Sequence, residues 1–69
     1  MTDFGKKLKD ILHDKHITQE ELARRALISK STVFMYINYG VLPTADNLKA
    51  ICEVLDVSAD YLLGLEKKI

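Results

Sequence analysis

Apolar residues recur at intervals of three, four and seven positions along most of this 69-residue chain. This is the spacing of one face of an α-helix. It is clearest in two sets, Phe4, Leu8, Ile11 and Leu12 near the N-terminus and Leu48, Ile51, Cys52 and Leu55 later in the chain. No stretch alternates strictly for more than a few residues, as a half-buried strand would. The spacing therefore predicts an all-α chain.

The composition excludes several other ways of holding a short chain together. One cysteine cannot form an internal disulfide, and one cysteine with two histidines cannot build a zinc finger. The fold must therefore rest on an apolar core, which 48% hydrophobic residues can supply. There is no apolar run of about 20 residues and no signal-peptide pattern. We expect one small cytoplasmic domain over residues 1–69, with no membrane segment, no cofactor and no metal.

Capping residues divide the chain into five helices. Thr18 to Glu21 fits a capping box, in which Thr18 accepts from the N–H of Glu21 and the Glu21 side chain reaches back to Thr18. Ser29, Thr44 and Ser58 suit the same role before later helices. The predicted helices cover about residues 3–15, 18–26, 30–38, 45–55 and 59–63.

The connection between the second and third helices is only about three residues long, Leu27 to Ser29. So short a connection forces the helices to cross steeply, as in a helix-turn-helix. Residues 19–38 have the length of that motif, and nearly the whole chain resembles the DNA-binding domain of phage repressors and Cro proteins, the XRE or lambda-repressor-like family. The matching residues are Gln19, Ala23, Ile28, the run Ser29-Lys30-Ser31-Thr32-Val33, Pro43, Leu48, Ile51, Leu55, Val57-Ser58 and Asp60-Tyr61-Leu62-Leu63-Gly64. The resemblance implies a compact five-helix lambda-repressor-like domain with the helix-turn-helix at helices 2 and 3.

Three features depart from the pattern of that family. Leu27 stands where the family usually has glycine, and a positive φ there would cost leucine about 1 kcal/mol, a cost that a small change in turn geometry would avoid. The run from Ile37 to Gly40 reads as one residue longer than usual. Phe34 and Met35 lie on the exposed face of helix 3, where many relatives carry polar residues.

The resemblance implies that helix 3 lies in the major groove and reads bases from its N-terminal part. The candidate base readers are Lys30, Ser31, Thr32, Phe34 and Met35. Lys30 can donate to guanine, and the apolar groups can contact a thymine methyl. Lys30 could equally be an ordinary solvated lysine. Phe34 could touch thymine, fill a contact between proteins, or pack back against helix 2.

The resemblance also implies contacts with the phosphate backbone, which set the register on DNA. The candidates are Gln19, Ser29, Asn38, Tyr39 and Thr44. Helix N-termini such as those at Gln19 and Thr44 suit anions because their first N–H groups are unpaired. Asn38 could instead simply cap the end of helix 3.

A domain of this kind covers one half-site, so a homodimer on a palindromic operator is expected, with half-sites about 34 Å apart. The candidate dimer residues are Tyr61, Leu62, Leu65 and Ile69, although Leu62 or Leu63 must also close the core. The chain could also be the N-terminal domain of a longer protein that dimerises elsewhere.

The main hypothesis is a sequence-specific transcriptional regulator, a phage or mobile-element type repressor that binds double-stranded operator DNA. The alternative is a protein-interaction module on the same fold, an antitoxin or a repressor-modulating protein, which binds a protein partner through the apolar face around Phe34 and Met35. An enzyme is not expected, because there is no paired-carboxylate or nucleophile–base pattern and the glycines, including Gly5, are isolated helix punctuation. His13 and His16 have no third metal ligand near them.

The formal net charge is zero, which alone argues against a nucleic-acid binder. The charges are unevenly distributed, however. Residues 1–40 hold seven basic and five acidic side chains, whereas residues 41–69 hold three basic and five acidic ones. The positive half carries the motif, and this asymmetry can orient the domain on DNA.

Overall fold

The computed structural model describes residues 3–65, which form five α-helices and no strand. The helices are α1 (Phe4–Asp14), α2 (Gln19–Ala26), α3 (Lys30–Asn38), α4 (Ala45–Leu55) and α5 (Ala59–Leu62). The all-α, five-helix prediction is confirmed. α1, α2 and α5 are each one or two residues shorter than the ranges that the sequence predicts. Within residues 3–65, no helix is long and apolar enough to cross a membrane.

Side-chain caps fix the start of four of the five helices. In each, a hydroxyl oxygen accepts from the N–H three residues later, at 3.0 to 3.3 Å: Thr18, Ser29, Thr44 and Ser58. Only half of the predicted capping box forms, because the Glu21 carboxylate lies 3.7 Å from the Arg25 guanidinium and not against the Thr18 N–H. Each of these caps pairs one N–H group that the first turn of its helix would otherwise leave unpaired.

Every helix contributes side chains to one apolar core. The residues with at most 1% of their surface exposed are Phe4, Leu8, Leu22, Val33, Ile51, Leu55 and Leu62. Among residues 3–65, no polar or charged residue is buried. α3 contributes Val33 and Tyr36, and these two side chains fix which face of α3 points outward.

α1 and α3 approach each other closely at Gly5. A Cβ atom on Gly5 would lie 2.5 Å from the Tyr36 carbonyl oxygen, which real side chains do not tolerate. The interpretation of Gly5 as helix punctuation is therefore wrong, since it lies inside α1 at a helix–helix contact. Beside it, the rings of Phe4 and Tyr36 pack edge to face with centroids 6.0 Å apart.

Tyr36 also links α3 to α4. Its ring is buried, and its hydroxyl accepts a hydrogen bond of 3.0 Å from Asn47 Nδ2. The outward orientation of α3 is thus fixed from α1 on one side and from α4 on the other.

The turn between α2 and α3 passes through a left-handed residue. Leu27 has φ 58° and ψ 41°, and its side chain is 92% exposed. Its own N–H and that of Ile28 both donate to the Ala23 carbonyl, which ends α2. Because the left-handed conformation is unfavourable for residues with a Cβ, Leu27 carries the strain expected from its place in the sequence.

Candidate nucleic-acid interface

The outward face of α3 carries most of the predicted base readers. Lys30, Ser31, Phe34 and Met35 are exposed, whereas Val33 and Tyr36 on the opposite face are buried. Thr32 is only half-buried, and its hydroxyl oxygen lies 2.6 Å from that of Ser29. The fold therefore exposes four of the five candidates along one helix.

Ser29, a predicted phosphate ligand, is the N-cap residue of α3. Its Oγ accepts from the Thr32 N–H at 3.2 Å and also lies 3.4 Å from the Ser31 hydroxyl. Because these contacts engage the Ser29 hydroxyl, its structural role is to hold the first turn of α3. A phosphate contact by Ser29 remains an expectation.

Lys30 forms an ion pair that crosses the helix-turn-helix. Its Nζ donates to Glu20 Oε2 at 3.0 Å, and both side chains are about 70% exposed. This hydrogen bond and the charge of Lys30 lower the pKa of the Glu20 carboxyl below its usual value, with a smaller effect from Arg24. The sequence analysis does not name Glu20 as a site residue. The signal that could have found it is the three-residue turn, which brings the start of α3 back toward the start of α2.

The C-terminal half of the α3 face is apolar. The Phe34 ring packs against the Tyr39 ring, edge to face, with centroids 5.8 Å apart. The Met35 carbonyl accepts from the N–H groups of Tyr39 and Val41 at 3.0 and 3.4 Å. The exposed apolar residues of this region, called here the apolar patch, are Phe34, Met35, Tyr39, Val41 and Leu42. No charged residue occurs between residues 31 and 45.

The other phosphate candidates lie at the ends of helices. Gln19 is the first residue of α2, and Thr44 caps α4 through the N–H of Asn47 at 3.3 Å. Asn38 donates from Nδ2 to the Phe34 carbonyl at 3.0 Å, so in this structure it closes the end of α3. Tyr39 is 70% exposed, and its ring packs on Phe34.

The dimer candidates separate into exposed and buried residues. Tyr61 and Leu65 are exposed, and the Lys7 ammonium lies 5.2 Å from the centre of the Tyr61 ring. Leu62 is fully buried, so it is the residue of the Leu62 and Leu63 pair that closes the core, and it is not available to a dimer surface. Ile69 lies outside the described residues.

Comparison with known proteins places this geometry in a family. The chain matches the helix-turn-helix family over residues 8–62. It is 30% identical over 67 residues to the HTH-type transcriptional activator BcrR of Enterococcus faecalis, covering 97% of this chain and 33% of BcrR. It is 32% identical over 62 residues to the HTH-type transcriptional regulator YobD of Bacillus subtilis, covering 90% of this chain and 55% of YobD. The chain thus spans between a third and about half of the length of these relatives.

Two solved structures have the same fold. The N-terminal DNA-binding domain of SinR from Bacillus subtilis superposes with a TM-score of 0.81 at 29% identity, over 94% of this chain and 93% of that one. A transcriptional regulator from Listeria innocua gives 0.83 at 17% identity, over all of this chain and 64% of that one. With α2 and α3 joined by a three-residue turn and a family match over most of its length, this chain belongs to the XRE-type helix-turn-helix family.

Proposed function

We propose that this chain is a sequence-specific DNA-binding transcriptional regulator, acting without catalysis in the cytoplasm as one domain over residues 1–69. The observation that carries the proposal is the orientation of α3. Val33 and Tyr36 anchor its inner face, so that Lys30, Ser31, Phe34 and Met35 point outward together. A helix presented in this way fits the major groove of B-DNA, which is about 12 Å wide.

Two kinds of contact with DNA are proposed, with base edges and with phosphates. Lys30 and Ser31 present donors to base edges, and Phe34 or Met35 packs on a thymine methyl. The unpaired N–H groups at the starts of α2 and α4, near Gln19 and Thr44, receive phosphates. Because the α3 face carries little charge, we infer that shape and apolar contact contribute more to binding than net charge does.

We further propose that the protein represses transcription as a homodimer of the phage or mobile-element type, covering a palindromic operator and excluding polymerase. The domain measures 35 Å along its longest axis, enough for two copies to touch across half-sites about 34 Å apart. Tyr61 and Leu65 are exposed apolar residues available for that contact. Because the relative BcrR is named an activator, a separate experiment distinguishes repression from activation. In transcription in vitro, repression predicts less transcript when the promoter carries the operator, and more transcript would contradict it.

The experiment that tests DNA recognition is selection of bound duplexes from a random pool at physiological salt. We expect one short, nearly palindromic sequence to be enriched. The double variant Lys30→Ala with Ser31→Ala should lose the preference while keeping its circular dichroism spectrum, since both side chains are exposed. Lys49→Ala, which removes an exposed charge from α4, is the matched control and should keep it. Retained preference in the double variant would refute the role of α3.

Phosphate contact is tested by the dependence of affinity on salt. Each neutralised phosphate adds about −0.9 to the slope of log K against log salt. We expect a measurable negative slope between roughly 50 and 200 mM salt. A flat dependence would contradict the proposed contacts at the starts of α2 and α4.

The apolar patch favours a second function, binding of a protein partner by an antitoxin or repressor modulator. Five exposed apolar residues lie in a segment with no charge, and such a surface is typical of an interaction site. Phe34→Ser should then abolish capture of that protein partner. If the wild-type domain also enriched no DNA sequence, protein binding would be favoured over DNA recognition. Unchanged capture by Phe34→Ser would count against it.

A further inference from the structure

Resting on the proposed function, we propose that Glu20 is a specificity-determining residue, which together with Lys30 reads a G·C base pair. The structure places the two side chains side by side at the start of α3, with Lys30 Nζ and Glu20 Oε2 3.0 Å apart. The pair joins the second residue of α2 to the first residue of α3 across the turn. It therefore lies at the end of α3 from which bases are read in this proposal.

The pair is not needed to hold the two helices together. Leu22 and Ala23 of α2 and Val33 of α3 are already buried in the core. Ion pairs as exposed as this one contribute little to stability. Because the fold does not depend on this pair, both side chains are available to contact a ligand at the start of the outward face.

The charge of the pair argues against a phosphate contact. Lys30 alone would attract the DNA backbone, but the adjacent Glu20 carboxylate cancels its charge, so the two side chains together offer a phosphate no net attraction. Charge neutralisation of phosphates is what drives non-specific binding. The pair is thus better suited to a base edge, where a donor and an acceptor are both required.

A G·C pair offers the complementary pattern in the major groove. Guanine O6 and N7 accept hydrogen bonds, and the cytosine N4 amino group donates one. Guanine O6 and cytosine N4 are themselves hydrogen-bonded, so they are separated by about the same distance as Lys30 Nζ and Glu20 Oε2. The ammonium keeps two donors free for guanine, and the carboxylate accepts from cytosine N4.

Two substitutions separate the acceptor from the charge of Glu20. Glu20→Ala removes both, whereas Glu20→Gln removes the charge and keeps an oxygen acceptor. We expect the wild type to prefer G·C at one position in each half-site, by roughly 5- to 150-fold. Glu20→Ala should lose that preference, and Glu20→Gln should retain part of it. Both should bind random DNA more tightly than the wild type.

Glu21→Ala is the matched control, because Glu21 lies in the same turn, carries the same charge and pairs with Arg25. It should leave the base preference unchanged. The measurement is selection from a random pool, followed by titration of single-base operator variants with each protein. An unchanged G·C preference in Glu20→Ala, or an A·T preference of the wild type at that position, would overturn the inference and leave the proposed function standing. Absence of any enriched sequence with the wild type would overturn both.

Discussion

Replacing Leu27 by glycine should stabilise this protein. Leu27 has φ 58° in the turn between α2 and α3, and its side chain is 92% exposed. The left-handed conformation costs a residue with a Cβ about 1–2 kcal/mol, a cost that glycine does not have. Glycine in turn gains about 0.4–1 kcal/mol of conformational entropy in the unfolded chain. Almost no burial is lost, so subtracting the entropy cost from the strain leaves a net gain of about 0.8 kcal/mol, within a range of about 0–1.6 kcal/mol.

The assay is urea unfolding followed by circular dichroism, with thermal unfolding in parallel. In a domain of this size a gain of about 0.8 kcal/mol corresponds to a rise in Tm of about 3–6 °C. Leu27→Ala keeps the Cβ and should stay within about 0.5 kcal/mol of the wild type. Lys9→Gly, at an exposed position inside α1, should lose about 1 kcal/mol. If Leu27→Gly were less stable than Leu27→Ala, strain at this turn would be refuted.

Three further predictions concern contacts around α3. Gly5→Ala should lower the free energy of unfolding by about 1–3 kcal/mol, because its Cβ would meet the Tyr36 carbonyl oxygen; an unchanged Tm would contradict the close helix contact. Tyr36→Phe should cost about 1 kcal/mol through loss of the hydrogen bond from Asn47, measured by urea unfolding, and an unchanged midpoint would count against that bond. Lys30→Met should raise the pKa of Glu20 toward 4.5 in an NMR titration of the side-chain carboxyl. Because the pKa of Glu20 is lowered in the folded state, the ion pair stabilises the fold at pH values above the pKa of Glu20 in the unfolded chain. That stabilisation disappears as the pH falls through the lowered pKa of the folded state. If the Glu20 titration were the same in Lys30→Met as in the wild type, the ion pair would be excluded.

The local features of the fold could be predicted from sequence because they depend on neighbouring residues. The caps at Thr18, Ser29, Thr44 and Ser58 each need only a hydroxyl and the N–H three residues later. The glycine position of the motif left two outcomes for Leu27, a positive φ or an altered turn, and the structure has the positive φ. The resemblance to the family likewise indicated which face of α3 points outward, and the burial of Val33 and Tyr36 agrees with it.

Features that depend on packing between helices were missed or assigned wrongly. Gly5 was interpreted as punctuation, because nothing near it in sequence reveals the Tyr36 carbonyl beside it. Leu62 belongs to the core and not to a dimer surface, since a helix of four residues has few side chains with which to close the domain. The contact of Glu20 with Lys30 spans ten residues and depends on the angle between α2 and α3.

The most direct test of the proposed function is a titration of the ¹⁵N-labelled protein with its selected duplex, followed by amide chemical shifts. We predict the largest shift changes at residues 29–35, with further changes near Gln19 and Thr44 at the starts of α2 and α4. A scrambled duplex of the same length should produce smaller and more dispersed changes. Changes confined to α5, or equal changes with both duplexes, would contradict recognition of DNA by α3.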